Sequence, residues 1–139
     1  MTRWVRRWAR HRMQRWASLA IHRLLRGVSV PLQVGVLLFL LAAGKAAGSM
    51  LEVAEAHYLD TLGIDPSRLA GVGVARHGYG RPTRILEMIE AGHPVPDAAG
   101  VAGTEKALAL ASSLKAGDLL IALISGGASA LMSKPVPGI

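Results

Sequence analysis

The chain has 139 residues, half of them apolar and few aromatic, which is the size and composition of one α/β domain. It has no cysteine, so disulfides and thiolate metal sites are excluded and we expect a reducing, cytoplasmic location. The net charge of +7 would favour nucleic-acid binding if it were spread over the surface. However, residues 1–26 carry eight arginines and no acid, whereas the remainder carries eight basic and nine acidic residues. We therefore divide the chain into a basic extension, residues 1–27, and a folded part, residues 28–139.

The basic extension has a helical pattern with one imperfect apolar side. That side carries Trp4, Val5, Trp8, Ala9, Trp16, Leu19 and Ala20. Arg12, Arg15 and Arg23 interrupt it, so the amphipathic pattern is weak. A membrane-surface helix, a nucleic-acid arm and a targeting sequence all remain open. The Arg and Trp bias favours an extension without a folded role, including one translated from an upstream start. We expect no nucleic-acid partner and at most weak membrane contact through residues 1–26.

The folded part begins with a strand followed by a helix. Pro31 interrupts the first apolar run, which therefore predicts neither a secretory signal nor a transmembrane helix. Residues Val34–Leu41 predict a buried strand. After Ala42–Lys45, apolar residues recur at helical spacing: Ala47, Met50, Leu51, Ala54 and Tyr58. Glu52 and Glu55 are predicted to lie outside this apolar stripe.

The second half alternates strands and a helix. Leu69–Ala75 and Arg84–Glu90 predict strands, and Ala98–Leu114 predicts a helix that Asp97 caps. Six consecutive apolar residues, Leu119–Ile124, predict a strand buried on both faces, and a turn and a helix start follow it. This order implies an α/β layered fold with a mainly parallel sheet.

Four loops follow the predicted strands, where ligands bind in such folds. They are residues 42–45, 76–82, 91–97 and 125–128. In the last of them, Ser125-Gly126-Gly127 leads into a helix, so free amides and the helix dipole favour a phosphate or carboxylate there. An ordinary strand–helix turn explains the same residues equally well.

Three basic residues are candidates for contact with an anion. Lys45 is predicted to lie in the first turn of a helix, where the dipole disfavours a cation unless it meets an anion or solvent. His93 could bind substrate or brace its loop, and Arg76 could bind substrate or be solvated. No P-loop surrounds Gly44-Lys45, and no pattern of carboxylates or histidines predicts a metal site.

Together these loops resemble the glycerate 2-kinase family of the MOFRL type, whose members are also labelled hydroxypyruvate reductases. The matching motifs are Ala43–Ala47, Arg76–Gly80, Glu90–Asp97 and Ser125–Leu131, and they occur in the family's order. The motifs extend the resemblance over about residues 36–139. Ala42 and Ala128 depart from the family pattern, because glycine is usual at both positions.

The resemblance implies a Rossmann-like first domain whose cleft is completed by a second domain that this chain lacks. It implies transfer of the ATP γ-phosphate to the 2-hydroxyl of D-glycerate with a divalent cation such as Mg²⁺. Lys45 matches the family's active-site lysine. The residues that match the family's phosphate-handling loop are Ser125, Gly126, Gly127 and Ser129. His93 and Arg76 are the expected substrate-binding residues.

We expect the chain to be a kinase fragment that is inactive alone. The alternatives are a non-catalytic anion- or nucleotide-binding module, and a basic membrane- or nucleic-acid-associated protein.

Overall fold

The computed structural model describes residues 37–136, so the predictions for the basic extension and for the start of the first strand lie outside the described residues. In chain order the elements are β1 (Leu38–Ala43), α1 (Ala47–Ala56, continued by a π-helical turn over His57–Thr61), β2 (Leu69–Arg76), β3 (Glu87–Ala91), α2 (Ala98–Ser113), β4 (Leu119–Ile124) and α3 (Ala128–Leu131). A 3₁₀ turn over Pro66–Arg68 precedes β2.

The strands form one sheet in the order β3-β2-β1-β4, and each neighbouring pair in it is parallel. This arrangement confirms the predicted α/β fold with a mainly parallel sheet. Ala43, the last residue of β1, is paired with Val74 of β2 and with Ile124 of β4. The loops after these strands therefore leave the sheet at the same edge.

Helices cover both faces of the sheet. On one face, Leu51 of α1 packs in a buried cluster with Leu38 and Leu40 of β1. On the other face, α2 approaches β2 so closely that a Cβ on Gly103 would lie 2.8 Å from the Val74 side chain. The result is a three-layer arrangement in which β1 and β2 are the central strands.

The prediction that β4 is buried on both faces is wrong. Leu120 and Ile124 are 39% and 59% exposed, whereas Leu123 is 5% exposed and belongs to the cluster that contains Leu51. The physical reason is position, because β4 is an edge strand of the described sheet, and the apolar cluster that contains Leu51 of α1 includes Leu123 but neither Leu120 nor Ile124. A continuous apolar run does not distinguish an edge strand from a central one.

The strand predicted over Arg84–Glu90 begins only at Glu87. The reason is Glu55, which was predicted to lie outside the apolar stripe of α1 but is 2% exposed. Its carboxylate accepts hydrogen bonds from the amides of Arg84 at 2.7 Å and of Ile85 and Leu86 at 2.9 Å each. These amides are therefore bound to a side chain of α1 at the position where the sheet was expected to begin.

Other element boundaries differ by one or a few residues. Strand β1 continues to Ala43, and α2 ends at Ser113 rather than Leu114. Lys45 precedes α1 instead of lying in its first turn, because the helix begins at Ala47. Within residues 37–136, no helix combines the length and apolar character that crossing a membrane requires.

Candidate functional site

The loops that follow β1 and β4 are joined by hydrogen bonds. Beyond the paired strands, the Ser125 amide donates to the Ala43 carbonyl at 2.9 Å, and the Lys45 amide donates to the Gly126 carbonyl at 2.9 Å. The Ser125 hydroxyl accepts from the Ala46 amide at 3.1 Å and lies 3.4 Å from the Ala43 carbonyl, to which it donates. We call this set of bonds between residues 43–46 and 125–126 the loop–loop contact.

Gly44 allows the two loops to approach this closely. Its φ of +115° lies in the region that favours glycine, and a Cβ added to it would overlap the hydroxyl and the carbonyl of Ser125. The Gly44 amide donates to the Val74 carbonyl at 3.3 Å, which ties the same turn to β2. The sequence at this turn is therefore restricted by a segment about eighty residues further along the chain.

Three of the predicted site residues lie together at this edge of the sheet. A Cβ added to Gly127 would lie 2.6 Å from His93 Nε2 and 3.4 Å from Lys45 Cε. Gly127 has a φ of +88° and immediately precedes α3. Lys45 is exposed and His93 is half-buried, so a flexible ammonium group and an imidazole both adjoin the glycine-rich turn.

Asp97 holds the loop that carries His93. Its carboxylate lies 2.8 Å from His77 Nε2 and accepts the Gly100 amide at 3.0 Å, so it caps α2 as predicted. Hydrogen bonds from the Gly92 amide, from His77 and from the Gly100 amide lower the pKa of Asp97 to about 2. One carboxylate thus connects the ends of β2 and β3 with the start of α2.

Arg76 is placed differently from Lys45 and His93. It is the last residue of β2, and its guanidinium lies 3.7 Å from the centroid of the Tyr79 ring, a cation–π geometry. Glu90 shapes this loop, because its carboxylate accepts the amides of Gly78 at 3.0 Å and Gly80 at 2.7 Å, which lowers the pKa of Glu90. Arg76 is therefore stacked on its own loop, and its predicted contact with substrate stays a prediction.

The remaining residues of the glycine-rich turn have separate environments. Gly126 is exposed and has open space around its Cα, whereas the hydroxyl of Ser125 is used within the loop–loop contact. Ser129 is exposed in the first turn of α3. The first hydrogen bonds of α3 come from the amides of Leu131 and Met132, so the amides before them have no partner within the helix.

Within residues 37–136, no group of three or more histidine, aspartate or glutamate side chains is placed to hold a metal ion. At the glycine-rich turn the adjoining charged group is the ammonium of Lys45, beside backbone amides and the His93 imidazole, whereas the carboxylates of Glu90 and Asp97 bind amides of the neighbouring loops. Such a set can bind a phosphate or carboxylate and neutralise part of its charge.

Sequence reasoning missed two side-chain contacts that shape the neighbouring loops. Glu90 was predicted to end a strand, but its side chain binds the Gly78 and Gly80 amides. The pairing of His77 with Asp97 was also missed. The available signal was weak, since glycines and acids near strand ends indicate turns without indicating which acid binds which amide.

A family model described as "Domain of unknown function (DUF4147)" matches residues 9–139. The match begins well before residue 36, where the motif-based resemblance began, and so includes most of the basic extension. The chain is 38% identical over 101 residues to the glycerate 2-kinase of Pyrococcus horikoshii, covering 73% of this chain and 21% of that protein. It is 39% identical over 101 residues to the D-glycerate 2-kinase of Thermotoga maritima, covering 72% of this chain and 23% of that protein.

Solved structures give the same relationship. The crystal structure of a glycerate kinase from Thermotoga maritima matches with a TM-score of 0.65 and 28% identity, covering 93% of this chain and 32% of that chain. The chain spans about a fifth of the length of the curated relatives named above. These comparisons agree with the resemblance carried by the four loop motifs.

Proposed function

We propose a function from the premise that this chain belongs to the DUF4147 family, which is found in MOFRL-type glycerate 2-kinases. In this proposal, the chain is the part of such a kinase that binds the transferred phosphate. The whole enzyme would transfer the γ-phosphate of ATP to the 2-hydroxyl of D-glycerate and give 2-phosphoglycerate. Phosphoryl transfer depends mainly on positioning and on neutralising charge, and both can be supplied by side chains and amides at one sheet edge.

The observation that carries the proposal is the convergence of Lys45, His93 and Gly127. A Cβ on Gly127 would lie within 3.4 Å of the Lys45 side chain and 2.6 Å from the His93 ring. In the proposed role, the Lys45 ammonium neutralises phosphate or carboxylate charge, and the turn from Gly126 to Ser129 supplies backbone amides.

We also assign His93 and Arg76 to substrate. The His93 ring adjoins Gly127, so it can donate a hydrogen bond to the same anion that Lys45 meets. Arg76 is the last residue of the neighbouring strand β2, and binding glycerate carboxylate would require its guanidinium to be accessible while stacked on Tyr79. A divalent cation is not assigned to residues of this chain, since the described part does not offer a ligand cluster for it.

The proposal is tested by titrating the ¹⁵N-labelled 139-residue chain with ATP and with D-glycerate and observing binding by NMR. We expect ATP to shift the amide signals of Gly126 to Ser129, and Lys45→Ala to weaken binding about tenfold or more, as for loss of a charge-assisted contact. Lys115→Ala is the matched control, because Lys115 is also exposed but lies before β4, at the opposite edge of the sheet. If both variants weakened ATP binding equally, the loss of one positive charge anywhere on the chain would explain the result, and the proposal would be contradicted.

A coupled assay of ATP consumption separates catalysis from binding. Glycerate-dependent turnover that Lys45→Ala abolishes would show that this chain is catalytic by itself. Binding without turnover would support the phosphate-binding part alone.

We further propose a cytoplasmic location, which fractionation of cells that produce the chain would test.

A further inference from the structure

We infer that Ser125 is a positioning residue for Lys45: its hydroxyl fixes the backbone of the lysine and thereby directs the ammonium group toward Gly127 and His93. The role of the directed ammonium group in phosphate binding rests on the proposed function, whereas the positioning itself does not. Among the residues the resemblance assigns to the phosphate loop, Ser125 thus receives a different task from its neighbours.

Both peptide groups that flank Lys45 are held by the loop after β4. The Lys45 amide donates to the Gly126 carbonyl at 2.9 Å, and the next amide, that of Ala46, donates to the Ser125 hydroxyl at 3.1 Å. Fixing the two peptide planes on either side of a residue fixes the direction of its Cα–Cβ bond. The first of these bonds is made by backbone atoms, so only the second depends on the identity of residue 125.

The Ala46 amide does not have its acceptor in α1. Ala46 occupies the N-cap position, and the local side chain that accepts an N-cap amide in a capping box is that of the third helical residue, here Ser49. The Ser49 hydroxyl instead donates to the Ala46 carbonyl at 3.1 Å, and Ser125, 79 residues away, accepts the Ala46 amide. The position of the start of α1, and with it that of Lys45, is therefore fixed by contacts with the glycine-rich turn and not by a capping side chain of α1 itself.

Close packing makes this register specific. A Cβ on Gly44 would overlap the hydroxyl and carbonyl of Ser125, so the two loops have little freedom to slide past each other. An exposed lysine on a loosely held turn would sample many directions, and ordering it on binding would reduce affinity. Holding its backbone in advance removes part of that cost.

The first experiment follows the free chain by NMR and needs no ligand. In Ser125→Ala we expect the Ala46 amide to exchange with solvent about tenfold faster, as for loss of one hydrogen bond. The contact between the Lys45 ε-methylene and the Gly127 α-protons should weaken. Ser129→Ala, a change four residues further along the same segment, should leave these signals unchanged.

Unchanged exchange at Ala46 in Ser125→Ala would overturn the inference. A uniform rise at all amides, including those of Leu40 and Val72 in the central strands, would also overturn it, because it would report global destabilisation. Faster exchange at Ala46 with an undisturbed Lys45–Gly127 contact would show that Ser125 caps α1 without directing the lysine, and would overturn the positioning role as well.

The second experiment links positioning to anion binding through a double-mutant cycle with ATP as the probe. Ser125→Ala should weaken binding severalfold in the presence of Lys45 and have no further effect in a chain that already carries Lys45→Ala. Additive effects would overturn the inference. If the unaltered chain binds no ATP, the proposed function fails, and the exchange and proton-contact data still decide whether Ser125 positions Lys45.

Discussion

Glu55 and Ser125 use the same device in two regions of the molecule, and they differ in what depends on it. Each side chain accepts backbone amides from a distant segment. Glu55 is 2% exposed and binds the three amides that precede β3, at the amino ends of the strands, whereas the candidate site lies at their carboxyl ends. Ser125 is half-buried and binds one amide next to Lys45.

The comparison distinguishes a residue that stabilises the fold, Glu55, from a residue that shapes the candidate site, Ser125. Removing a buried acceptor leaves several donors without partners and lowers the free energy of unfolding. Removing the half-buried Ser125 hydroxyl should cost about 1 kcal/mol and, in the positioning role inferred above, should change the direction of the Lys45 side chain. We therefore expect changes around Glu55 to act on stability and changes around Ser125 to act on the site.

The largest effect is expected for Glu55→Ala, which should lower the free energy of unfolding by about 3 kcal/mol because the amides of Arg84, Ile85 and Leu86 lose their acceptor. Urea denaturation followed by circular dichroism measures it. Glu52→Ala is the control on the same helix, since Glu52 makes a long ion pair with Arg81, 3.9 Å between Oε2 and Nε, and its cost should be about 0.5 kcal/mol or less. Similar losses for both variants would remove the special role of Glu55.

The next effect concerns the turn of the candidate site. Gly127→Ala should cost about 2 kcal/mol, because alanine is strained at a φ of +88° and its Cβ would lie 2.6 Å from His93 Nε2. Gly126→Ala is the matched control, since nothing lies within 4 Å of the added Cβ. Thermal unfolding compares the two, and His93 ring signals should shift only in Gly127→Ala. Equal stability of both variants would contradict the close approach of His93.

A smaller effect is expected at low pH. The pKa of Asp97 is about 2 in the folded chain against an ordinary value of 3.8, so its ionised form is favoured by folding. The stability that Asp97 contributes is present above about pH 4 and is lost as the pH falls toward 2. Asp97→Asn should flatten this part of the stability profile measured by urea denaturation. An unchanged acid profile in Asp97→Asn would disprove the assignment.

The smallest effect is expected for Ala128→Gly. Removing this Cβ allows closer approach to the backbone of the glycine-rich turn, so phosphate binding should tighten by at most about threefold, or about 0.7 kcal/mol. Calorimetric or NMR titration with inorganic phosphate measures it, with Ala130→Gly, two residues further along the same helix, as the control. Weaker binding in Ala128→Gly would show that the Cβ supports the loop rather than crowding it.

Local patterns were sufficient for the elements and their order. The apolar run over Leu119–Ile124, the helical spacing from Ala47 to Tyr58 and the Asp97 cap each depend on neighbours in sequence, and each element was found. Because parallel strands align their carboxyl ends, the pattern also predicted which loops share an edge. The four motifs in those loops were enough to indicate the family that the comparisons identify.

Only the tertiary structure decided how those elements use their side chains. The partners of Glu55 and Ser125 lie about thirty and about eighty residues away, and no periodicity in the sequence links such positions. Likewise, β4 has the composition of a central strand, and only the strand pairing shows that it lies at the edge of the described sheet. Hydrophobic patterning specifies which residues leave water, whereas the pairing of buried polar groups is specified by geometry that exists only after the strands and helices have packed.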